Sequence, residues 1–172
     1  MTPIVILIGP PGAGKTTVGT LLATRLGTTL RDTDADVEAT TGSSVADIFV
    51  DSGEAYFRRL EEVAVLTALG EHDGVLALGG GAVTSSRVRK AVGTQRTVFL
   101  DVGLPAAVRR VGLATARPLL LGNVRAQLKA LMDSRRPVYE GLAWRVVSTD
   151  DRSAAEVVDD IVRILDEPEP AR

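Results

Sequence analysis

The chain has 172 residues, 45% of them hydrophobic, and sets 20 Lys and Arg against 22 Asp and Glu for a net charge of −2. That length suits one domain able to bury roughly 70% of its unfolded surface, and the charge balance lacks the basic footprint of a general nucleic-acid binder. Cysteine is absent, which excludes a disulfide framework, a thiolate nucleophile and a thiolate zinc site and suits a cytoplasmic setting, while no apolar run approaches the roughly 20 residues of a membrane span.

Residues 3–8 read as a buried parallel strand, because Ile4-Val5-Ile6-Leu7-Ile8 leaves no polar face. No basic region precedes that run, so a signal peptide is not expected. The strand feeds Gly9-Pro10-Pro11-Gly12-Ala13-Gly14-Lys15-Thr16, which fits GxxxxGK[ST] at every fixed position. Glycines let the backbone wrap an anion and turn several N–H groups inward, and the helix that follows adds its unpaired N-terminal amides and dipole. In such a loop the lysine reaches the β- and γ-phosphates and the hydroxyl ligates magnesium. A chance glycine-rich turn is the competing reading, and the strand, loop, Lys-Thr and helix in sequence argue against it.

Residues 15–26 carry Val18, Leu21, Leu22 and Leu26 at helical spacing, with Gly27 as a stop. Thr28 to Arg31 form a short strand that delivers Asp32-Thr33-Asp34 to its end, where parallel α/β sheets place ligands. The span 35–50 predicts short helices broken at Gly42, with Ser43 or Ser44 as a cap. Gly53 to Leu69 is the longest helical pattern. Val75 to Leu78 is a buried strand ending in Gly79-Gly80-Gly81, and three glycines there suggest backbone contact with a ligand.

Residues 84–92 predict a short helix, Thr97 to Leu100 a strand ending at Asp101, and Leu104 to Val111 a helix starting near Pro105. Residues 112–124 lose periodicity around Arg117-Pro118 and Gly122, the profile of a mobile lid. Arg125 to Val138 read as helix until Pro137, Arg145 to Ser148 as the last strand, and Ala154 to Leu165 as the last helix. The domain is expected over 1–166, with 167–172 a disordered tail. His72 is expected in solvent and Trp144 against the final strand. Five strands alternating with helices mean an α/β fold, a parallel sheet covered on both faces.

A P-loop names a nucleotide but not a reaction. The chain has no Asn-Lys-x-Asp segment of a guanine reader, and Leu76-Ala77-Leu78 is followed by glycines rather than the Asp-Glu pair of a motor. The combination of GPPGAGKT at 9–16, Asp32-Thr33-Asp34, Phe57-Arg58 with Glu61, Leu78-Gly79-Gly80-Gly81-Ala82, Arg117-Pro118-Leu119 and Arg135-Arg136-Pro137-Val138-Tyr139 resembles the shikimate kinases. The match runs from about residue 3 to 165 in motif order.

That resemblance implies a single-domain P-loop kinase of the nucleoside monophosphate kinase-like fold, with strand order 2-3-1-4-5 and a substrate segment at about 33–61. It implies transfer of the γ-phosphoryl of ATP to the 3-hydroxyl of shikimate on the route to chorismate and the aromatic amino acids, with Mg2+. Lys15, Asp34 and Arg117 are the implied catalytic residues. Gly12, Ala13, Gly14, Lys15, Thr16, Thr17, Arg110, Arg117 and Arg152 are implied at ATP, with Thr16 on the metal directly and Asp32 through water. Asp34, Phe49, Phe57, Arg58, Gly79, Gly80, Gly81, Pro118, Leu119 and Arg135 are implied at shikimate.

Each of these has a plainer reading in the residues. Arg58 can pair with Glu61 or Glu62 along its helix, and Asp32 and Asp34 can serve a turn or helix cap. The three glycines can make a tight turn. Phe49 and Phe57 can be core, Arg110, Arg117 and Arg152 surface charges, and Arg135 or Arg136 a solvated helix end. A monomer acting on ATP and shikimate, with no nucleic acid or membrane partner, is the expectation. A nucleotide-dependent module with no acceptor differs in one observable: it does not gather Asp34, Arg58 and Arg135 around one pocket opposite Lys15.

Overall fold

The computed structural model describes residues 1–93, 95–114 and 121–168. Strands β1 (Val5–Ile8), β2 (Leu30–Asp32), β3 (Val75–Ala77), β4 (Thr97–Asp101) and β5 (Arg145–Ser148) form one sheet in the order β2-β3-β1-β4-β5. All pairings are parallel. β1 is central because all four of its residues are apolar and buried. Val5 and Leu7 point into one apolar cluster and Ile6 and Ile8 into the other, the alternation of a strand covered on both sides.

Helices α1 (Lys15–Arg25), α6 (Leu104–Ala114) and α8 (Ala154–Leu165) supply one face through Val18, Leu22, Ala107, Val157 and Ile161. Helices α4 (Glu54–Glu71), α5 (Ser86–Val92) and α7 (Leu121–Leu142) supply the other through Val65, Val88 and Tyr139. Helices α2 (Thr33–Thr41) and α3 (Val45–Ser52) cover a third small core of Val37, Ile48 and Phe57 at the sheet's carboxyl end.

The local chemistry follows the expected punctuation. Gly42 closes α2 in the left-handed region, and Ser44 caps α3 by accepting from the Asp47 amide. Two boundaries differ from expectation. α7 begins at Leu121 and runs through Pro137 to Leu142. An internal proline costs a helix about 3 kcal/mol; here the turn beyond it is anchored by buried Tyr139, by Val138 and Leu142 against the core, and by the Arg136 contacts with Asp101 and Glu140. α6 likewise continues past Val111 to Ala114, so helices enter both ends of the expected lid.

His72 is not simply solvated, since its Nε2 lies 3.0 Å from the Val75 carbonyl oxygen. Trp144 packs beside β5, with the guanidinium groups of Arg96 and Arg145 5.5 and 4.7 Å from its ring centroid. Among the described residues no helix is long and apolar enough to cross a membrane.

Candidate active site

The carboxyl ends of β1, β2 and β3 converge, and each delivers one part of the site. After β1, the chain turns through Gly12 at φ +82, where a Cβ would stand 2.9 Å from the Ala107 carbonyl oxygen. Only glycine meets both demands. Gly14 starts α1 without any side-chain cap, and the first amide bonded within the helix is Val18 N to Gly14 O at 2.8 Å. The amides of Lys15, Thr16 and Thr17 are therefore the open helix terminus that binds anions in other proteins.

Lys15 is partly buried and folds over this loop, its Nζ donating to Gly9 O at 2.8 Å and Pro10 O at 3.1 Å. Burial lowers its pKa to about 8 against the pull of Asp34 and Asp32, with Arg135 lowering it further. Thr16 Oγ1 donates to Asp32 Oδ2 at 2.8 Å, while Asp32 Oδ1 caps α2 through the Asp34 and Ala35 amides. The hydroxyl and carboxylate beside the lysine are hard oxygen donors of the kind magnesium takes. No cluster of three or more His, Cys, Asp or Glu able to hold a metal occurs among the described residues.

Asp34 stands on the first turn of α2. Its Oδ1 is buried without a hydrogen-bond partner, and burial, then the Asp32 charge, raises its pKa despite Lys15 and Arg58. Glu61 is 2% exposed; burial raises its pKa as well, opposed by Arg58. A Cβ on Gly79 would overlap Asp34 Oδ1 and Glu61 Oε1. The missing side chain of Gly79 is thus what gives both carboxylates room.

The glycine turn is strongly polarised. Gly79 O accepts from Ala82 N at 3.0 Å, Gly80 O from Tyr139 Oη at 2.6 Å, and Gly81 O from Thr84 Oγ1 at 2.7 Å. Gly79 N donates to buried Thr33 Oγ1 at 3.0 Å, so Gly79 contributes space rather than the amide donor its position suggested. The amides of Gly80 and Gly81 have no such partner among the described residues.

Arg58 donates to Glu61 Oε2 at 2.7 Å and to Glu54 Oε1 at 3.3 Å. Its guanidinium also lies over the rings of Phe57 and Phe49, 5.4 and 5.8 Å from their centroids. The i+3 partner anticipated for Arg58 is present, and the arginine still reaches the cleft. That cleft, about 370 Å3, is lined by Pro11, Asp34, Phe49, Phe57, Arg58, Glu61, Gly80, Gly81 and Arg135 among others. Arg136 is excluded from it, held on Asp101 through two bonds of 2.9 and 2.8 Å.

On the other side of the P-loop a cavity of about 210 Å3 lies between Gly14, Thr17, Arg110, Thr149 and Arg152. Arg110 bridges the loop to β5, donating to Gly12 O at 2.9 Å and to Thr149 Oγ1 and O at 3.2 Å each. Arg152 is tied to Ser148 O and to Asp160. Arg117, Pro118 and Leu119 lie outside the described residues. The residues missed from sequence were Thr33 and Thr149, whose partners are 46 and 39 positions away, and Tyr139, which the RxPxY motif contained without a role.

A family model described as shikimate kinase matches residues 11–166. A relative named shikimate kinase from Salinispora arenicola is 52% identical over 165 residues, covering 96% of this chain and 99% of that one. One from Saccharopolyspora erythraea is 54% identical over 163 residues, covering 94% and 93%. The solved structure of shikimate kinase from Acinetobacter baumannii in complex with shikimate is similar at TM-score 0.88 and 32% identity, covering 96% and 93%.

Proposed function

Because the chain belongs to the shikimate kinase family, we propose that its two clefts hold ATP and shikimate and that it transfers the γ-phosphoryl group to the 3-hydroxyl, giving ADP and 3-phosphoshikimate. The observation that carries this reading is the gathering of Asp34, Arg58 and Arg135 into one cleft that reaches the P-loop at Pro11. A nucleotide-binding module without an acceptor has no use for that arrangement.

Shikimate is a small ring with one carboxylate and three hydroxyls. Arg58 and Arg135 are the cationic forks suited to the carboxylate, and the open amides of Gly80 and Gly81 suit ring or carboxylate oxygens. Phe49 and Phe57 wall the ring. The unpartnered Oδ1 of Asp34 awaits a donor, and the attacking hydroxyl supplies one. The acceptor oxygen then forms a bond to the γ-phosphorus as the bond to the bridging oxygen of ADP breaks, and Asp34 receives or orients the released proton. The transition state is loose, so positioning matters more than basicity.

Lys15 leaves the loop carbonyls for the β- and γ-phosphates when nucleotide binds. The open amides of α1 hold the phosphates, and Arg110, Thr17 and Arg152 border the cleft assigned to the nucleoside. Magnesium, when bound, neutralises charge on the β- and γ-oxygens; Thr16 would hold it, with Asp32 behind a water. Arg117 is assigned to the charge of the transferring group, and Pro118 and Leu119 to the ring. We read the enzyme as a cytoplasmic monomer acting on ATP and shikimate.

A coupled ADP-release assay tests the reading. Turnover is expected to require shikimate. Turnover absent with shikimate and present with gluconate or a nucleoside monophosphate overturns it.

A further inference from the structure

Tyr139 is 1% exposed, the largest of the fully buried side chains among the described residues. A buried phenol needs a partner for its hydroxyl, and most sites satisfy it with a convenient carbonyl. Here the acceptor is Gly80 O, at 2.6 Å and 59 residues away in sequence. That carbonyl belongs to the peptide unit whose other end is the Gly81 amide. All peptide bonds of the described chain are trans, so fixing the carbonyl toward the phenol directs the Gly81 N–H away from it. Hydrogen bonding at the carbonyl also polarises the amide on the far side.

The same phenol stands beside Arg135. The two residues are one helical turn apart on α7, and the guanidinium lies close enough to favour the ionised phenol against its burial. Phe99 of β4 stacks on the ring, centroid to centroid 5.1 Å, while the hydroxyl is held by its own bond to Gly80 O. Tyr139 therefore lines neither cleft, yet it bonds a backbone unit that lines the acceptor cleft and lies one helical turn from an arginine that does so too.

Resting on the shikimate reading above, we propose that Tyr139 is a positioning residue for the acceptor: its hydroxyl sets the Gly81 amide and the Arg135 guanidinium in one fixed relation. Tyr139→Phe keeps the ring, its stack on Phe99 and nearly all its volume. Steady-state kinetics on this variant are expected to show shikimate KM raised about tenfold, the loss of one hydrogen bond with a charged or polarised partner, with ATP KM within twofold of the parent. In the double variant Tyr139→Phe/Arg135→Ala the fold-losses in shikimate affinity are expected to combine to less than their product.

Phe99→Leu serves as the packing control, since it removes the stacked ring and keeps the hydroxyl. It is expected to lower the thermal midpoint with shikimate KM within twofold of the parent. A shikimate KM within twofold of the parent in Tyr139→Phe overturns the inference, as does a parallel rise in both KM values, or a rise in Phe99→Leu equal to that in Tyr139→Phe. Parent turnover in the same assay separates the two levels. No shikimate-dependent turnover in the parent removes the functional reading and this inference with it, whereas normal parent turnover with an unchanged variant removes the inference alone.

Discussion

Arg135 and Arg136 are adjacent in the chain and leave α7 in different directions: Arg135 lines the proposed acceptor cleft, while Arg136 grips Asp101 at the end of β4 with two bonds of 2.9 and 2.8 Å and Glu140 with a third of 2.7 Å. Successive residues on a helix differ in direction by about 100°, so neighbours share no face. The Arg136 ion pairs raise its pKa, led by the bond to Asp101, but the side chain is 49% exposed, and solvent screening discounts such pairs heavily. Arg136→Ala is expected to cost about 1 kcal/mol of stability in chemical denaturation and to change shikimate KM by less than threefold. Arg135→Ala is expected to leave stability nearly unchanged and to raise shikimate KM about 10- to 100-fold, the worth of a charged hydrogen bond. An exchange of those two outcomes assigns the acceptor to the other arginine.

The glycine turn makes a graded prediction. A methyl group at Gly79 must displace two carboxylates, that of Asp34 and the buried one of Glu61. At Gly80 the nearest atom is Pro11 Cδ at 3.2 Å, which the proline ring can accommodate by a few tenths of an ångström. Gly79→Ala is therefore expected to abolish measurable turnover and to lower stability by about 1–3 kcal/mol, the usual range of overpacking, whereas Gly80→Ala keeps the fold and loses turnover by about tenfold or less. Equal effects at the two positions would mean that the space at Gly79 is not the reason for glycine there.

Burial of charge predicts how pH acts on this site. The free enzyme holds Lys15 at about 8, so kcat/KM for ATP is expected to fall as pH rises through 8, while kcat, which reports the nucleotide complex, holds to higher pH because phosphate charge favours the ammonium. The stability sign is opposite. Between about 8 and the ordinary lysine value of 10.5 the unfolded chain binds more protons than the folded one, so this group makes folding more favourable as pH rises across that window. Lys15→Met is expected to lose turnover by at least about a thousandfold, as one preorganised electrostatic group can contribute, with an unchanged or higher thermal midpoint at pH 7. A thermal midpoint reduced by several degrees refutes the claim that the lysine charge is held against a desolvation cost.

Asp34 runs the complementary way. Its carboxyl is raised above the ordinary value, first by burial. In the window between the unfolded and folded values the folded state holds the extra proton, and stability is lost as pH rises through it. Asp34→Asn is expected to be more stable than the parent at pH 7 and to show no advantage at pH 3, where both states of the parent are protonated. Turnover is expected to fall by about a hundredfold or more, within the range of a general base or its positioning equivalent. Denaturation curves at the two pH values distinguish this from a generic stabilising substitution, whose advantage persists in acid.

Much of this could be read from sequence because the relevant signals are local. Apolar runs at 4–8 and 75–78 gave the central strands, Gly42 and Ser44 punctuated the second and third helices, and the P-loop defines itself within eight residues. The pairings that shape the site are not local. Thr33 takes the Gly79 amide across 46 residues, and Arg110 reaches the Gly12 carbonyl across 98; no periodicity encodes either. Pro137 misled for a related reason, since its helix is continued by tertiary contacts made at Arg136, Tyr139 and Leu142 rather than by its own propensity. Arg117, placed over the phosphates by resemblance, lies outside the described residues.

Arg58 and Glu61 supply the sharpest test of the acceptor cleft. Glu61 is buried, its pKa is raised by burial and brought down by Arg58, and its Oε2 accepts from Arg58 at 2.7 Å. A carboxylate in that position orients the guanidinium while leaving donors for a ligand, since Arg offers five and the bonds to Glu61 and Glu54 use two of them. Arg58→Ala removes the proposed ligand contact and leaves Glu61 buried without its cation, so shikimate KM is expected to rise about 10- to 100-fold with ATP KM within threefold, together with some loss of stability. Glu61→Gln keeps the size and one acceptor oxygen but removes the charge that holds the guanidinium. A smaller rise in shikimate KM, about three- to tenfold, is expected there, because a neutral acceptor holds a cation about half as strongly. If Glu61→Gln instead matches Arg58→Ala, the carboxylate itself meets the acceptor and Arg58 is its support; if neither moves shikimate KM apart from ATP KM, the carboxylate-binding role belongs to Arg135 alone.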